Sequence, residues 1–168
     1  MDLFEAIEQR ASVRALKPID IPDSELARIL EAGRRAPSGR NCQPIEFIVI
    51  RERGTLAKLA ESQTCITDVS LAIAIIADPD KSEWWVEDVA AATENMLLAI
   101  TALGYASVWI EGTLRRAKEL HKQILGLPSN LSLMVVLPIG APAKGVKQAN
   151  KRELSEMVHY ERYGNRHA

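Results

Sequence analysis

The sequence predicts a single domain in which helices cover a mixed β-sheet. Three observations carry this prediction. The 168 residues suit one hydrophobic core, four short apolar runs are typical of buried strands, and segments with helical spacing separate those runs. The chain therefore begins with two helices, alternates strands with helices, and ends in a tail. We expect one domain over residues 1–168; periodicity does not fix its strand order.

Two amphipathic helices are predicted at the start of the chain. In the stretch DLFEAIEQR, Asp2 can cap the first turn and Glu5 follows three residues later, which is the pattern of a capping box. In DSELARILEAGRRA, Asp23 or Ser24 provides the cap and an apolar stripe recurs at helical spacing. Both segments therefore have a capping residue at the start of the helix and an apolar face that can pack against the core.

The four predicted strands lie at residues 45–50, 69–78, 105–110 and 131–140. The second run, VSLAIAIIAD, is continuously apolar and rich in β-branched residues, which is typical of a central strand. Pro138 lacks an amide donor, so we expect it near the end of its strand or on an edge.

The remaining helices are predicted at residues 55–62, 82–104 and 113–126. The longest one carries alanines and apolar residues around much of its circumference, which predicts burial on more than one side. Gly104 and Gly126 fit helix C-termini, and Thr113 fits an N-cap. Residues 141–152 are predicted as a polar linker, and residues 153–168 as a short helix with a tail.

Composition excludes several classes of protein. The formal net charge is -1, so no excess of positive charge favours nucleic acid or an anionic membrane. Two cysteines are too few for a disulfide framework and lack metal-ligand spacing, which favours a reduced, cytoplasmic protein. The start of the chain does not resemble a signal peptide, and the apolar run at 69–78 is too short to span a bilayer.

The first candidate for chemistry is QRASVR, where Arg10 and Arg14 flank Ser12. Guanidinium groups are forked donors that match phosphate oxygens, and the hydroxyl adds another donor. The alternative is that these arginines only complement the dipole at the end of the first helix.

The second candidate is RRAPSGRNCQP, in which Pro37 and Pro44 bracket a polar stretch. Either this stretch is an ordinary loop of turn-forming residues, or its hydrogen-bonding groups serve a ligand. A third, weaker candidate is VWIEGT, where a predicted strand leads directly into a helix. The first backbone N–H groups of a helix have no intrahelical partner, so they are free to bind a ligand. No Ser/His/Asp or Cys/His arrangement and no phosphate-binding glycine loop is recognisable.

Taken together, these motifs resemble the nitroreductase family of FMN-dependent oxidoreductases. The resemblance runs through IEQRASVRALKP, LARILEAGRRAPSGRNCQPIEFIVI, EDVAAATENMLLAITALGYASVWIEG, LPIGAPAKG and KRELSEMVHYERYG, and so covers most of the chain. It implies an α+β fold of three α/β/α layers around a mixed, mainly antiparallel sheet. It also implies an intertwined homodimer with two FMN sites at the interface.

The resemblance also implies which residues bind the cofactor. Those expected at the phosphate and the pyrimidine edge are Arg10, Ala11, Ser12 and Arg14, with Lys151 or Arg152 as a further phosphate contact. Those expected to reach the flavin from the other subunit are Pro37, Ser38 and Asn41. Those expected beside the ring are Ile110, Glu111 and Gly112, with a backbone N–H near flavin N5. The second candidate stretch would then be a flavin-facing loop whose prolines limit the entropy lost on ordering.

The implied activity is NAD(P)H-dependent reduction of nitro compounds, quinones or similar small acceptors by ping-pong hydride transfer through FMN. No catalytic side chain is required, because the hydride chemistry belongs to the cofactor. Two alternatives remain open: a specialised relative such as a dehalogenase or a flavin-consuming enzyme, and a flavin-binding or sensing module with little turnover. No motif selects NADH over NADPH.

The chain departs from the family pattern at several places. Ala11 stands where a second basic residue is common, and Ile45 where an aromatic residue is common. Residues 51–83 show no match to the Asn and Lys that many members place by the flavin pyrimidine. The helical insertion that often covers the substrate pocket is also missing. These differences concern the identity of the acceptor more than FMN binding.

Overall fold

The computed structural model describes residues 1–61 and 63–166, and it contains helices on both faces of a sheet. The helices are α1 (Leu3–Gln9), α2 (Asp23–Arg34), α3 (Arg53–Ala60), α4 (Trp85–Ala102), α5 (Gly112–Arg116) and α6 (Lys118–Leu125). The strands are β1 (Leu16–Lys17), β2 (Ile45–Ile50), β3 (Leu71–Ala77), β4 (Ala106–Ser107) and β5 (Ser132–Pro142). Single 3-10 turns lie at Gly39–Asn41, Thr64–Ile66 and Leu154–Glu156.

Strands β4, β5, β3 and β2 lie side by side, and β1 pairs with the last residues of β5. Every pairing between these strands is antiparallel. A parallel bridge joins Ser12 to Ser107 of β4. The sheet is therefore mixed and mainly antiparallel, as expected from the resemblance.

The sheet has a hydrophobic core on each face, and β3 shows how its sequence builds both. Leu71, Ile73 and Ile75 point into the core beneath α2 and α4, whereas Ala72 and Ala74 point into the core beneath α3 and α6. All residues of β3 are buried. The alternation of large and small side chains thus fits one strand between two helical layers. The prediction of a central strand and of three layers is confirmed.

Helix boundaries follow the predicted capping residues in three places. Asp2 and Glu5 form the expected capping box of α1. Gly104, after α4, and Gly126, after α6, both adopt positive φ, which glycine tolerates best. The cap predicted for α2 was wrong, because Pro22 occupies that position and makes no side-chain cap. The Thr113 cap was also wrong, since α5 already begins at Gly112.

The third predicted strand, 105–110, forms only β4 and a separate bridge between Ile110 and Val136. Val136 exchanges both backbone hydrogen bonds with Ile110, and amides alternate sides along a strand. Pro138 therefore faces Val108 without a donor, and the ladder is interrupted there. The expectation that Pro138 lies near a strand end or on an edge was wrong, because β5 carries partners on both sides.

Three other predictions need correction. The helix expected at 113–126 is divided into α5 and α6 at Ala117, whose φ of -125° is not helical. The short helix expected after residue 153 is only a 3-10 turn. Strand β1 was not predicted, because two residues carry no periodicity. Ser62, at the end of the helix predicted at 55–62, and residues 167–168 of the predicted tail lie outside the described residues.

Gly140 of β5 supports a stability prediction. A Cβ at this position would lie 2.6 Å from the backbone oxygen of Lys17, so Gly140→Ala should force β1 away from β5. We expect a loss of about 1–3 kcal/mol in the free energy of unfolding, measured by urea denaturation. Gly145→Ala is the matched control, because no atom lies within 4 Å of the added carbon. Equal stability of the two variants would contradict this packing.

In the described part of the chain, no helix combines the length and the hydropathy needed to cross a membrane. Likewise, no group of His, Cys, Asp and Glu within residues 1–61 and 63–166 is arranged to hold a metal ion.

Candidate functional site

The segment that contains Arg10, Ser12 and Arg14 lies along the edge of β4. Ser12 bridges to Ser107, and the Val13 N–H donates a hydrogen bond of 2.9 Å to the Ser107 carbonyl oxygen. Ser107 is followed directly by the third candidate motif, VWIEGT. The first candidate motif therefore pairs with the strand that leads into the third. Ser12 and Arg14 are exposed there, and Ala11 is half-buried.

Arg10 is fixed at the end of α1. Its Nε lies 3.2 Å from Oε1 of Glu94 on α4, and its side chain is 21% exposed. The side-chain amide of Gln148 donates hydrogen bonds to the carbonyl oxygens of Arg10 and Ile7. Arg10 is the C-cap residue of α1, so its positive charge also complements the helix dipole there.

Arg14 extends the positive charge of this edge toward the connection between α3 and β3. Burial raises the pKa of the Cys65 thiol, and the positive charge of Arg14 partly opposes that rise. Cys65 is buried and unpaired. Sequence reasoning found no site residue between 51 and 83, and the proximity of Cys65 to Arg14 was not visible from spacing.

The loop between α2 and β2 holds an unusual backbone conformation. Arg40, Asn41 and Gln43 have φ values of 51°, 57° and 48°, a region that non-glycine residues seldom occupy. The Gln43 N–H donates to the Ser38 hydroxyl at 3.0 Å, which closes the turn. Strained backbone of this kind clusters at functional sites, where the surroundings hold it in place. This geometry favours a ligand-facing loop over an ordinary connector.

Residues at the start of α4 hold this loop. The buried carboxylate of Asp88 accepts hydrogen bonds of 2.8 Å from the Gly39 N–H and the Ser82 hydroxyl. A Cβ at Gly39 would overlap the ring of Trp84, and the Arg40 guanidinium lies 5.0 Å from that ring. Sequence reasoning missed Asp88, because a first-turn carboxylate looks like any helix-dipole partner.

Asp88→Ala should release the loop. The change leaves the Gly39 N–H and the Ser82 hydroxyl without their acceptor, which should cost about 1–3 kcal/mol of stability. Urea unfolding measures this loss. Glu87→Ala removes an exposed carboxylate from the same helical turn and should cost about 0.3–1 kcal/mol. A loss for Asp88→Ala no larger than that of Glu87→Ala would show that Asp88 does not anchor the loop.

The residues after β4 form the third part of the site. The Glu111 carboxylate accepts a hydrogen bond of 3.2 Å from Trp109 Nε1 and lies 3.3 Å from the Arg115 guanidinium. Gly112 is exposed at the start of α5. The hydroxyls of Ser107 and Thr113 are buried and make no hydrogen bond within the described residues. Two unpaired hydroxyls thus flank this segment, and neither was expected from the sequence.

The predicted site residues fall into separate groups within one chain. Strand β2, which follows the loop of Pro37, Ser38 and Asn41, is three strand spacings from β4, or about 14 Å. Lys151 and Arg152 are exposed on the C-terminal segment. That segment begins three residues after the Gln148 contact, a span of at most about 10 Å. Arg152 itself donates to the carbonyl oxygen of Glu156 at 2.9 Å.

Comparison with known proteins identifies the same family that the sequence motifs resemble. A family model described as "Nitroreductase family" matches residues 7–72 and 63–141. A protein from Archaeoglobus fulgidus, with the provisional name NADH dehydrogenase/NAD(P)H nitroreductase, is 35% identical over 173 residues, covering 96% of this chain and 99% of that protein.

Two solved structures extend this similarity to the fold. One is a protein from Desulfovibrio desulfuricans that is provisionally named a nitroreductase and was solved in complex with FMN. It is 31% identical with a TM-score of 0.86, and the match covers 97% of this chain and 98% of that one. An FMN-dependent nitroreductase from Clostridium difficile is 27% identical with a TM-score of 0.86, covering 95% and 99%.

Proposed function

The chain belongs to the nitroreductase family, and from this premise we propose that it is an FMN-dependent NAD(P)H oxidoreductase. It reduces nitro compounds, quinones or similar small acceptors, and takes its electrons from NADH or NADPH. The observation that carries the proposal is the pairing of the arginine segment with β4. Ser12 bridges to Ser107, three residues before Ile110, which supports a site that combines the arginine segment with the residues after β4.

The chemistry of this edge fits FMN. The phosphate of FMN is anionic, and the edge offers two guanidinium groups and the exposed Ser12 hydroxyl.

We assign roles to the residues on this basis. Arg10, Ala11, Ser12 and Lys151 or Arg152 would surround the phosphate, and Arg14 would lie at the pyrimidine edge. Ile110, Glu111 and Gly112 would lie beside the ring, and Pro37, Ser38 and Asn41 would reach it from a second copy. FMN, when bound, supplies the hydride chemistry.

The Glu111 carboxylate does not act as an acid or base in this proposal. Trp109 and Arg115 already occupy both of its oxygens. The backbone of Glu111 and Gly112 would contact the ring instead, which leaves the carboxylate in a structural role.

A homodimer is part of the proposal. Leu3, Phe4 and Ile7 on α1 are 60%, 74% and 46% exposed, and Leu154 and Tyr163 near the C-terminus are 75% and 92% exposed. Exposed apolar clusters of this kind mark interaction surfaces. A second copy would cover them and would also bring its loop to the β4 edge. We further propose a single domain over residues 1–168 and a cytoplasmic location, the latter supported by the two free cysteines.

Steady-state oxidation of NADH and NADPH in the presence of a quinone tests the activity. We expect sustained turnover that depends on bound FMN and on the quinone. Flavin bound without sustained oxidation of either nucleotide would instead favour the alternative of a flavin-binding or sensing module.

A further inference from the structure

A cavity of about 360 Å³ lies beside the segment proposed to contact the flavin ring. Trp85 and Val86 from the start of α4 form one wall, and Leu133 and Met134 from the start of β5 form another. Glu111 also lines it. The cavity therefore adjoins the proposed ring contact and has the aromatic and aliphatic walls of a small-molecule site.

Two cations lie at the rim of this cavity. Arg115, at 75% side-chain exposure, and the exposed Lys118 both line it. Arg115 is partly neutralised by the carboxylate of Glu111 at 3.3 Å. With two cations and one carboxylate, the cavity carries a net positive charge, and Lys118 provides the charge that Glu111 does not balance.

We propose that this cavity binds an aromatic acceptor that carries a carboxylate. The apolar walls take the ring, and Lys118 pairs with the carboxylate at the rim. This inference rests on the proposed function, because the acceptor is the substrate of that reaction. The volume is near the lower end of the roughly 300–1,000 Å³ typical of small-molecule sites, which suits a compound of one or two rings better than a whole dinucleotide.

Direct binding tests the proposal without turnover. Trp85 lines the cavity, so quenching of tryptophan fluorescence reports binding of a nitroaromatic compound. The probes are 4-nitrobenzoate and its neutral analogue 4-nitrobenzamide, added to the protein as purified. We expect the carboxylate to bind more tightly than the amide. Lys118→Gln should weaken carboxylate binding about three- to tenfold and leave amide binding unchanged.

Arg116→Gln is the matched control, because Arg116 is an exposed cation nearby that does not line the cavity. It should bind both probes as the wild type does. Equal affinity for the two probes in the wild type, or no change in Lys118→Gln, would overturn the proposal. A higher KM for NADPH in Lys118→Gln, with 4-nitrobenzoate binding unchanged, would assign the rim to the dinucleotide and also overturn it.

The outcome is distinguishable from a failure of the proposed function. If FMN is bound and NAD(P)H is oxidised while Lys118 has no effect on carboxylate binding, only the acceptor assignment is wrong. If no FMN binds and neither nucleotide is oxidised, the proposed function itself is wrong, whatever the fluorescence shows.

Discussion

Co-refolding Arg10→Ala and Asn41→Ala chains in equal amounts should restore about a quarter of wild-type NAD(P)H oxidation, measured at an FMN concentration at which each variant alone is nearly inactive. Random pairing makes about half of the dimers mixed. In a mixed dimer, one site combines an intact Arg10 with an intact Asn41 from the other chain, and the opposite site carries both lesions. About a quarter of all sites are therefore intact.

The expectation depends on the separation between the two motifs in one chain. The loop of Asn41 precedes β2, about 14 Å across the sheet from β4. The controls are each variant refolded alone, and mass spectrometry to confirm mixed dimers. If mixed dimers form and the mixture is no more active than its parents, Arg10 and Asn41 do not serve one composite site.

Arg10→Ala alone should weaken FMN binding by about one to two decades. Losing a charged hydrogen bond to phosphate costs roughly 1.5–3 kcal/mol, and each 1.4 kcal/mol corresponds to about tenfold in Kd. Quenching of flavin fluorescence on titration measures the affinity.

Glu94→Gln separates a direct contact from a structural one. Arg10 also pairs with Glu94 at 3.2 Å, so Arg10→Ala could act by breaking that pair. Glu94→Gln breaks the same pair but keeps the guanidinium, and it should leave FMN affinity unchanged or higher. If both variants weaken FMN binding equally, the ion pair matters and Arg10 does not bind the phosphate.

The sequence predicted the elements whose signals are local. The apolar run of β3, the capping box at Asp2 and the glycines after α4 and α6 all appear where expected. Each of these features depends on residues close in sequence, and its physical cause is local. Their positions could therefore be predicted without knowledge of the tertiary structure.

The features that were missed depend on distant partners. The ladder between β4 and β5 is interrupted at Val108, which faces Pro138. Pro138 lies some thirty residues later in the chain and has no backbone N–H to donate. Asp88 anchors Gly39 from 49 positions away, and Ser107 meets Ser12 across a parallel bridge. Spacing along the chain contains none of these contacts. The resemblance implied which residues contact the flavin, and the residues that support those motifs emerged only from the fold.

In our proposal the β4 edge, completed by a second copy, binds FMN. The most direct measurement is the absorption spectrum of freshly purified protein, followed by titration with FMN to saturation. We expect the spectrum of oxidised flavin and a final stoichiometry of one FMN per chain. Protein that purifies without flavin, and that binds no added FMN, would contradict it.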